Sequence, residues 1–299
     1  MRAAPPSWVE AEEFDAEGAR VHRLQLNAGD TTITYSASTT APPDSTVSCS
    51  VSGSATALLQ VAVADPATEQ LTVLSGGSAV EAVEFDAEGA RVHRLQLNEG
   101  DTTITYSAST EAGGAPRTVT PAEWAVAVRP SRYCPSDQVE GFATTEFDRS
   151  LPRAELVAAV ADWVHRRLVY VVGASRPVDT AVDTLLAGQG VCRDYAHLTI
   201  TLLRALEIPA RLVAVYAPGL SPMDFHAVVE ADIDGIWCVV DATRLAPTSS
   251  LVRICSGRDA ADTAFLSLFG GQAQFRTMNV TATTAGSLPL PDDAPFPLP

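Results

Sequence analysis

Two runs of alternating residues, His226–Ile233 (HAVVEADI) and Ile236–Asp241 (IWCVVD), flank the dipeptide Asp234-Gly235. Asp-Gly is favoured at the centre of a two-residue hairpin turn because both positions must take positive φ. Such a turn sets Ile233 opposite Ile236, Val228 opposite Asp241 and His226 opposite Thr243, and a slip of one residue would turn every side chain to the wrong face. One face then carries Ala227, Val229, Ala231, Ile233, Ile236, Cys238 and Val240. That face is uniformly apolar and reads as core, which gives Cys238 a packing role. His226 and Asp241 share the opposite face as diagonal neighbours, within reach of one another. A core histidine satisfied by a carboxylate is the plainest account of the pair, and a third residue points to chemistry.

That residue is Cys192. Gly188 and Gly190 break the preceding helical segment, and Cys192 opens another, in which Leu198, Leu202 and Leu206 recur every four residues. Glu207-Ile208-Pro209 ends it, since the residue before proline avoids helical geometry. Cys192 therefore lies at a helix N-terminus, where free amides and the macrodipole favour an anion and lower a thiol's pKa. A cysteine picked at random is a small buried apolar residue, and Cys134, between Tyr133 and Pro135, is read that way. Cys192 with His226 and Asp241 instead meets the requirements of an activated nucleophile: a thiol, a base and a carboxylate to orient the base.

GVCRDYAHL (190–198), DFHAVVEA (224–231) and WCVVDATRL (237–245) resemble the Cys, His and Asp motifs of the transglutaminase-like superfamily, whose core is a papain-like α+β fold. PSRYCPSD (130–137) and VRICSGRDAADTAFL (252–266) are similar to its bacterial branch, in which a β-rich, sandwich-like domain precedes the catalytic core. The resemblance spans about 47–285 and leaves Cys238, Cys255 and a repeated segment unexplained. It implies Cys192 as nucleophile, His226 as general base, and Asp241 as the group that fixes the imidazole tautomer and stabilises the imidazolium. The acyl-enzyme would pass to water or to an amine. Hydrolysis of peptide or glutamine side-chain amides (peptidase or amidase) is preferred, because water needs no second binding site. Amine transfer is the alternative within the class, and a non-catalytic peptide-binding or interaction protein is the alternative outside it. The Cys192 amide is a candidate oxyanion donor whose companion is not legible in the sequence.

Other chemistry-bearing residues read as structural. His197 lies five residues after Cys192 and points away from the thiol, and Asp194 supports the helix N-terminus. Arg258, Asp259 and Asp262 suit an ion-pair network holding a loop. No ligand spacing joins Cys192, His197 and His226 into a metal site, and no phosphate-binding glycine loop is present, so neither metal nor cofactor is expected.

The organisation is unusual in one respect. Residues 13–39 recur at 84–110 with one change, Ala28 against Glu99. Real structural repeats stack at a regular period and diverge in detail. The first copy is thus expected to be a surplus ribbon within 1–46, able to recruit a partner by edge pairing. The second copy belongs to a β-rich domain over 47–128. Each copy carries alternating strand signals around an Asn-x-Gly-Asp turn, and His22 and His93 read as exposed strand residues. Residues 129–149 read as a linker, 150–285 as the catalytic domain with a helix capped by Ser150, and 286–299 as a disordered Pro-rich tail. With 20 Lys and Arg against 36 Asp and Glu, the net charge of −16 argues against nucleic acid or an anionic membrane and leaves a peptide or protein as the expected partner. Five cysteines without a Cys-x-x-Cys pair, no secretory leader pattern and no apolar stretch of about 18 to 20 residues make the cytoplasm the expected location.

Overall fold

The computed structural model describes residues 13–14, 20–26, 29–34, 44–87, 90–110, 116–284, 287–288 and 295–298. The first repeat copy forms β1 (Glu13–Phe14), β2 (Arg20–Leu26) and β3 (Gly29–Thr34), with β2 and β3 folded into a hairpin from Leu26↔Gly29 to Val21↔Thr34. The spine of the larger sheet is β4 (Asp44–Leu59), in which Val47, Cys49, Val51, Ala55, Ala57 and Leu59 are buried while Ser and Thr alternate with them. That period of two is the pattern of a half-buried strand. Around it lie β5 (Thr68–Ser75), β6 (Ser78–Ala79), β7 (Val83–Ala87), β8 (Ala90–Leu97) and β9 (Gly100–Ser109).

The second repeat copy does not reverse on itself. β9 pairs with Asp44–Val51 of β4, and β8 pairs with Ala55–Leu59 on the same edge, so 90–109 runs as one bent strand. Gly53, at φ 72°, takes up the irregularity between the two halves on the β4 side. The long partner edge offers ladder bonds to both halves, and that outcompetes the local hairpin. His93 faces inward here. It is 6% exposed and its Nε2 lies 3.2 Å from a Glu84 carboxylate oxygen, which corrects the expectation of an exposed strand residue. The His22 side chain lies outside what the structure describes.

The C-terminal part begins with α1 (Pro121–Ala127), whose first turn is closed by a reciprocal Thr120–Glu123 capping box. Then come α2 (Glu140–Glu146) and α3 (Arg153–Arg167). Pro152 directly precedes α3, and the Ser150 hydroxyl donates to Asp148 at 2.7 Å instead of capping the helix. Next follow β10 (Val169–Tyr170), α4 (Ala181–Ala187), β11 (Gln189–Gly190) and α5 (Cys192–Ala205). The last elements before the chain returns are β12 (Ala210–Tyr216), β13 (Phe225–Ile233), β14 (Ile236–Val240) and β15 (Val252–Gly257). They form an antiparallel sheet in the order β14-β13-β12-β15. Ile233 pairs with Ile236 and Val229 with Val240, and Asp234 and Gly235 take φ 54° and 85°, so the Asp-Gly turn sets the register as expected. Every residue of α5 from Asp194 to Ala205 is buried, because the sheet and α2, α3 and α4 surround this helix.

The chain then returns to the first sheet as β16 (Leu266–Thr281), paired with the whole of β4 from Leu266↔Leu59 to Thr281↔Asp44. The two sheets share a core in which Leu95 and Tyr106 of one meet Tyr216 and Cys255 of the other. The Tyr216 hydroxyl donates to the Val61 carbonyl at 2.9 Å across that junction. Cys255, which the family motifs leave unexplained, is a packing residue there.

Two composition-based boundaries need correction. Residues 129–149 are not a linker: Cys134 and Ala143 are fully buried, and Val139 and Phe147 join the same core as α5. Their apolar positions are too widely spaced to stand out among Pro, Ser and charged neighbours. The described end of the Pro-rich tail is docked, since Phe296 exchanges backbone hydrogen bonds with Val239 (2.6 and 3.0 Å) and Leu298 is 2% exposed. With the bridge at Thr118↔Ile236, the tail covers the open edge of β14. Among the described residues no helix is long and apolar enough to cross a membrane.

Candidate active site

The tip of α5 is built by short-range necessity. Gly190 passes so close to the helix that a Cβ there would meet the Cβ of Asp194 at 2.6 Å. Val191 occupies the N-cap in extended conformation without a capping side chain. Asp194 supplies the cap from within. Fully buried, it accepts from the Val191 amide (2.8 Å), the Ser175 hydroxyl (2.5 Å) and Arg193 Nη2 (2.9 Å). This is the supporting role expected of Asp194, and it ties the 173–176 loop to the helix start. Cys192 is the first helical residue. It is half-buried, whereas Cys49, Cys134, Cys238 and Cys255 are all buried. Burial pushes the Cys134 and Cys255 thiols up to about 12, leaving them inert as nucleophiles.

β13 delivers His226 to the same place. Its Nε2 lies 2.7 Å from Asp241 Oδ2, just beyond the end of β14. The other Asp241 oxygen accepts from the Thr243 amide (2.8 Å) and hydroxyl (2.7 Å), which fixes the carboxylate. Burial alone would drive the Asp241 carboxyl up, yet the His226 charge and these hydrogen bonds hold it below its ordinary range. Burial also opposes the His226 imidazolium. The Asp241 charge and hydrogen bond, together with the Cys192 thiol, overcome that penalty and raise it to about 10. His226 Nδ1 is buried without a hydrogen-bond partner, and Cys192 lies close enough to His226 to contribute to that rise. Catalytic hydrogen bonds tighten when substrate arrives. The structure thus brings Cys192, His226 and Asp241 together.

Two further residues lie close to Cys192 or His226. The Tyr170 ring, at the end of β10, lies 5.9 Å from the Tyr195 ring (centroids) beside the first turn of α5, and burial with the nearby Cys192 pushes its phenol up. Asp224, two residues before His226, accepts from the Phe225 amide at 2.7 Å. Burial raises its carboxyl to about 6, against the pull of His226. Alternation along β13 could have flagged Asp224 as a same-face neighbour of His226. Tyr170, in an apolar VYVV run, gives no sequence signal.

His197 is elsewhere. Its ring stacks on Tyr133 (centroids 5.3 Å apart), its Nε2 accepts from the Ala260 amide at 3.1 Å, and burial lowers it to about 4. Asp259 accepts from the Tyr133 and Ala261 amides, both at 2.9 Å, and Arg258 pairs with Asp262, so that cluster holds a loop. Among the described residues no group of three or more His, Cys, Asp or Glu side chains is placed to hold a metal ion.

Comparison with known proteins agrees with this fold. Residues 142–242 match the family model of the transglutaminase-like superfamily. A solved structure from Cytophaga hutchinsonii, named provisionally as a cysteine protease, is 34% identical, with a TM-score of 0.74 over 85% of this chain and 92% of that one. An uncharacterised protein of Mycobacterium leprae is 32% identical over 125 residues, 38% of this chain and 43% of that protein. Another, of Mycobacterium tuberculosis, is 30% identical over 106 residues, 35% of this chain and 33% of that protein. The chain thus spans less than half the length of these curated relatives. Carrying the family's core and matching nearly the full length of a solved relative, the chain belongs to the transglutaminase-like superfamily.

Proposed function

We propose that the protein cleaves amide bonds of peptides or proteins through a thioester on Cys192. The observation that carries this reading is the His226–Asp241 pair at 2.7 Å, doubly buried and anchored by Thr243, set against the one accessible thiol at a helix tip. His226 takes the thiol proton, and the sulfur attacks the substrate carbonyl carbon. A C–S bond forms while the carbonyl π pair moves to oxygen. The intermediate collapses, the C–N bond breaks, and the leaving amine takes its proton from the His226 imidazolium. Water then attacks the thioester and gives a proton to His226. The acid leaves, and the sulfur departs with the bonding pair. Asp241 holds the imidazole orientation throughout.

The test combines iodoacetamide labelling at pH 6 with product analysis on a peptide library, with and without an added primary amine. Fast labelling that is lost in His226→Ala, with release of carboxylic acid, supports hydrolysis. Products carrying the added amine would move the reading to acyl transfer. Labelling of wild type as slow as that of His226→Ala, with no turnover, would sink the enzyme reading and favour a peptide-binding module.

A further inference from the structure

We propose that His165 is a positioning residue for the triad: from α3 it fixes the peptide whose N–H holds Asp241 against His226. This inference rests on the thioester mechanism above. The His165 ring is half-buried, and its Nδ1 donates to the Ala242 carbonyl at 2.9 Å. A carbonyl oxygen can only accept, so Nδ1 carries a proton whichever charge the ring bears. The N–H of that same peptide belongs to Thr243 and donates to Asp241 Oδ1 at 2.8 Å, while Asp241 Oδ2 binds His226 Nε2 at 2.7 Å. His165 thus reaches the triad carboxylate through a single planar peptide with a hydrogen bond at each end.

The segment needs such a hold. Asp241 to Arg244 forms a turn closed by the Arg244 amide donating to the Asp241 carbonyl at 3.2 Å. Arg244 sits at φ 58°, in the left-handed region that a residue with a side chain seldom adopts. Strained backbone of this kind persists only where its surroundings over-determine it. α3 restrains the turn at two points on one helix face: Asp162 accepts from Arg244 Nη2 at 3.0 Å, and His165, three residues on, donates to the Ala242 carbonyl. α3 is itself fixed, since Val157, Val160 and Val164 are fully buried in the core that also holds α5. The helix packed against the one that Cys192 opens therefore also sets the carboxylate, and nucleophile and base are referred to one rigid body. The Thr243 hydroxyl gives Asp241 Oδ1 a second donor at 2.7 Å, so freeing the peptide weakens the hold without abolishing it. Once the Ala242 carbonyl is released, the peptide can rotate, its N–H leaves Oδ1, and Asp241 stabilises the imidazolium less. Less thiolate then forms beside it at a given pH.

The experiment follows iodoacetamide alkylation of the full chain across pH in wild type, His165→Leu, His165→Gln and His165→Asn. It reads Cys192, because the other cysteines are buried. Leu removes the donor. The Asn amide N–H can take the place of Nδ1–H, whereas the Gln amide extends towards the Nε2 position and misses the carbonyl. His165→Leu and His165→Gln are expected to slow alkylation at about pH 6 by about three- to tenfold, the worth of one hydrogen bond, and to move the rise in rate to higher pH. His165→Asn is expected to keep the wild-type profile, with rates within about twofold. Thermal melts check that each variant folds, and if Leu does not, the contrast between Gln and Asn decides. Leu and Gln profiles matching wild type overturn the proposal and leave the enzyme reading standing. Equal slowing in all three variants also overturns it, because the packing of the ring and not its N–H would then matter. Slower alkylation at every pH with an unmoved profile overturns it too, since a looser fold would give that. A wild-type rate at about pH 6 no faster than that of free cysteine overturns the thioester mechanism, and this inference with it.

Discussion

Two buried ionic groups lie four residues apart on the same face of β13. At one end His226, 2% exposed, binds Asp241. In the middle Glu230, fully buried, has one oxygen 2.7 Å from Arg211 Nε and the other on Arg253. Arg211 continues to Glu123 of α1 at 2.7 Å and lies over the Trp237 ring at 4.0 Å, while Arg253 also donates to the Leu298 carbonyl at 3.3 Å. Strand, face and burial are alike, and the surroundings differ. β12 and β15 each supply a guanidinium to one Glu230 oxygen, with Glu123 of α1 and the Leu298 carbonyl of the docked tail holding the arginines from behind, so neither carboxylate oxygen is left open. His226 has one nitrogen tied down by Asp241 and the other without a hydrogen-bond partner, close to a half-buried thiol at a helix tip. Burial with complete pairing makes a brace, and burial with one site left open makes a proton-transfer group.

The comparison can be broken from either end. The largest effect is expected from Cys192→Ala, which should lower turnover by about 10⁴-fold or more while changing stability by no more than about 0.5 kcal/mol; steady-state kinetics and a denaturant melt read both. Asp241→Asn should lower kcat by about 10² to 10⁴-fold, because the amide cannot stabilise the imidazolium or hold its tautomer. Retention of near-normal kcat in that variant would mean His226 works without its carboxylate. Glu230→Gln should do the converse. It strands two buried guanidinium groups and should cost about 3 to 5 kcal/mol of stability, with kcat per folded molecule unchanged. A large kcat loss there would mean that the two groups are coupled along β13.

The smallest effect is a slope. The folded His226 value, raised to about 10, exceeds its ordinary value near 6.5. Its contribution to stability is therefore complete below about pH 6.5 and is lost as pH rises towards 10. Over that window wild type should lose up to about 1.4 kcal/mol per pH unit from this group, and Asp241→Asn should show a shallower decline in the same melts. Asp241 and Glu230, both held below their ordinary range, contribute above about pH 4 and lose that contribution in acid.

Much of the His226 end was legible because it is encoded locally. Asp234-Gly235 set the hairpin register, alternation sorted Cys238 from His226, and Pro209 with the Gly188–Gly190 break framed the helix that Cys192 begins. Tyr170 was invisible, since its place beside the helix start depends on a two-residue parallel ladder that pairs it with Gly190. Glu230 and its arginines carried no signal as a group, because they meet only when β12, β13 and β15 lie side by side. The repeat makes the same point within one chain. The same residues fold back as a hairpin in 20–34 and extend along β4 in 90–109. The sequence by itself determined the helix that Cys192 opens and the hairpin that presents His226 beside Asp241, because turn geometry and side-chain periodicity act over a few residues. Only the tertiary structure decided which strand edges were open, where the linker and tail docked, and which buried charge kept a free nitrogen. Those outcomes depend on long-range pairing, whose hydrogen bonds and burial exceed the local preferences of any single segment.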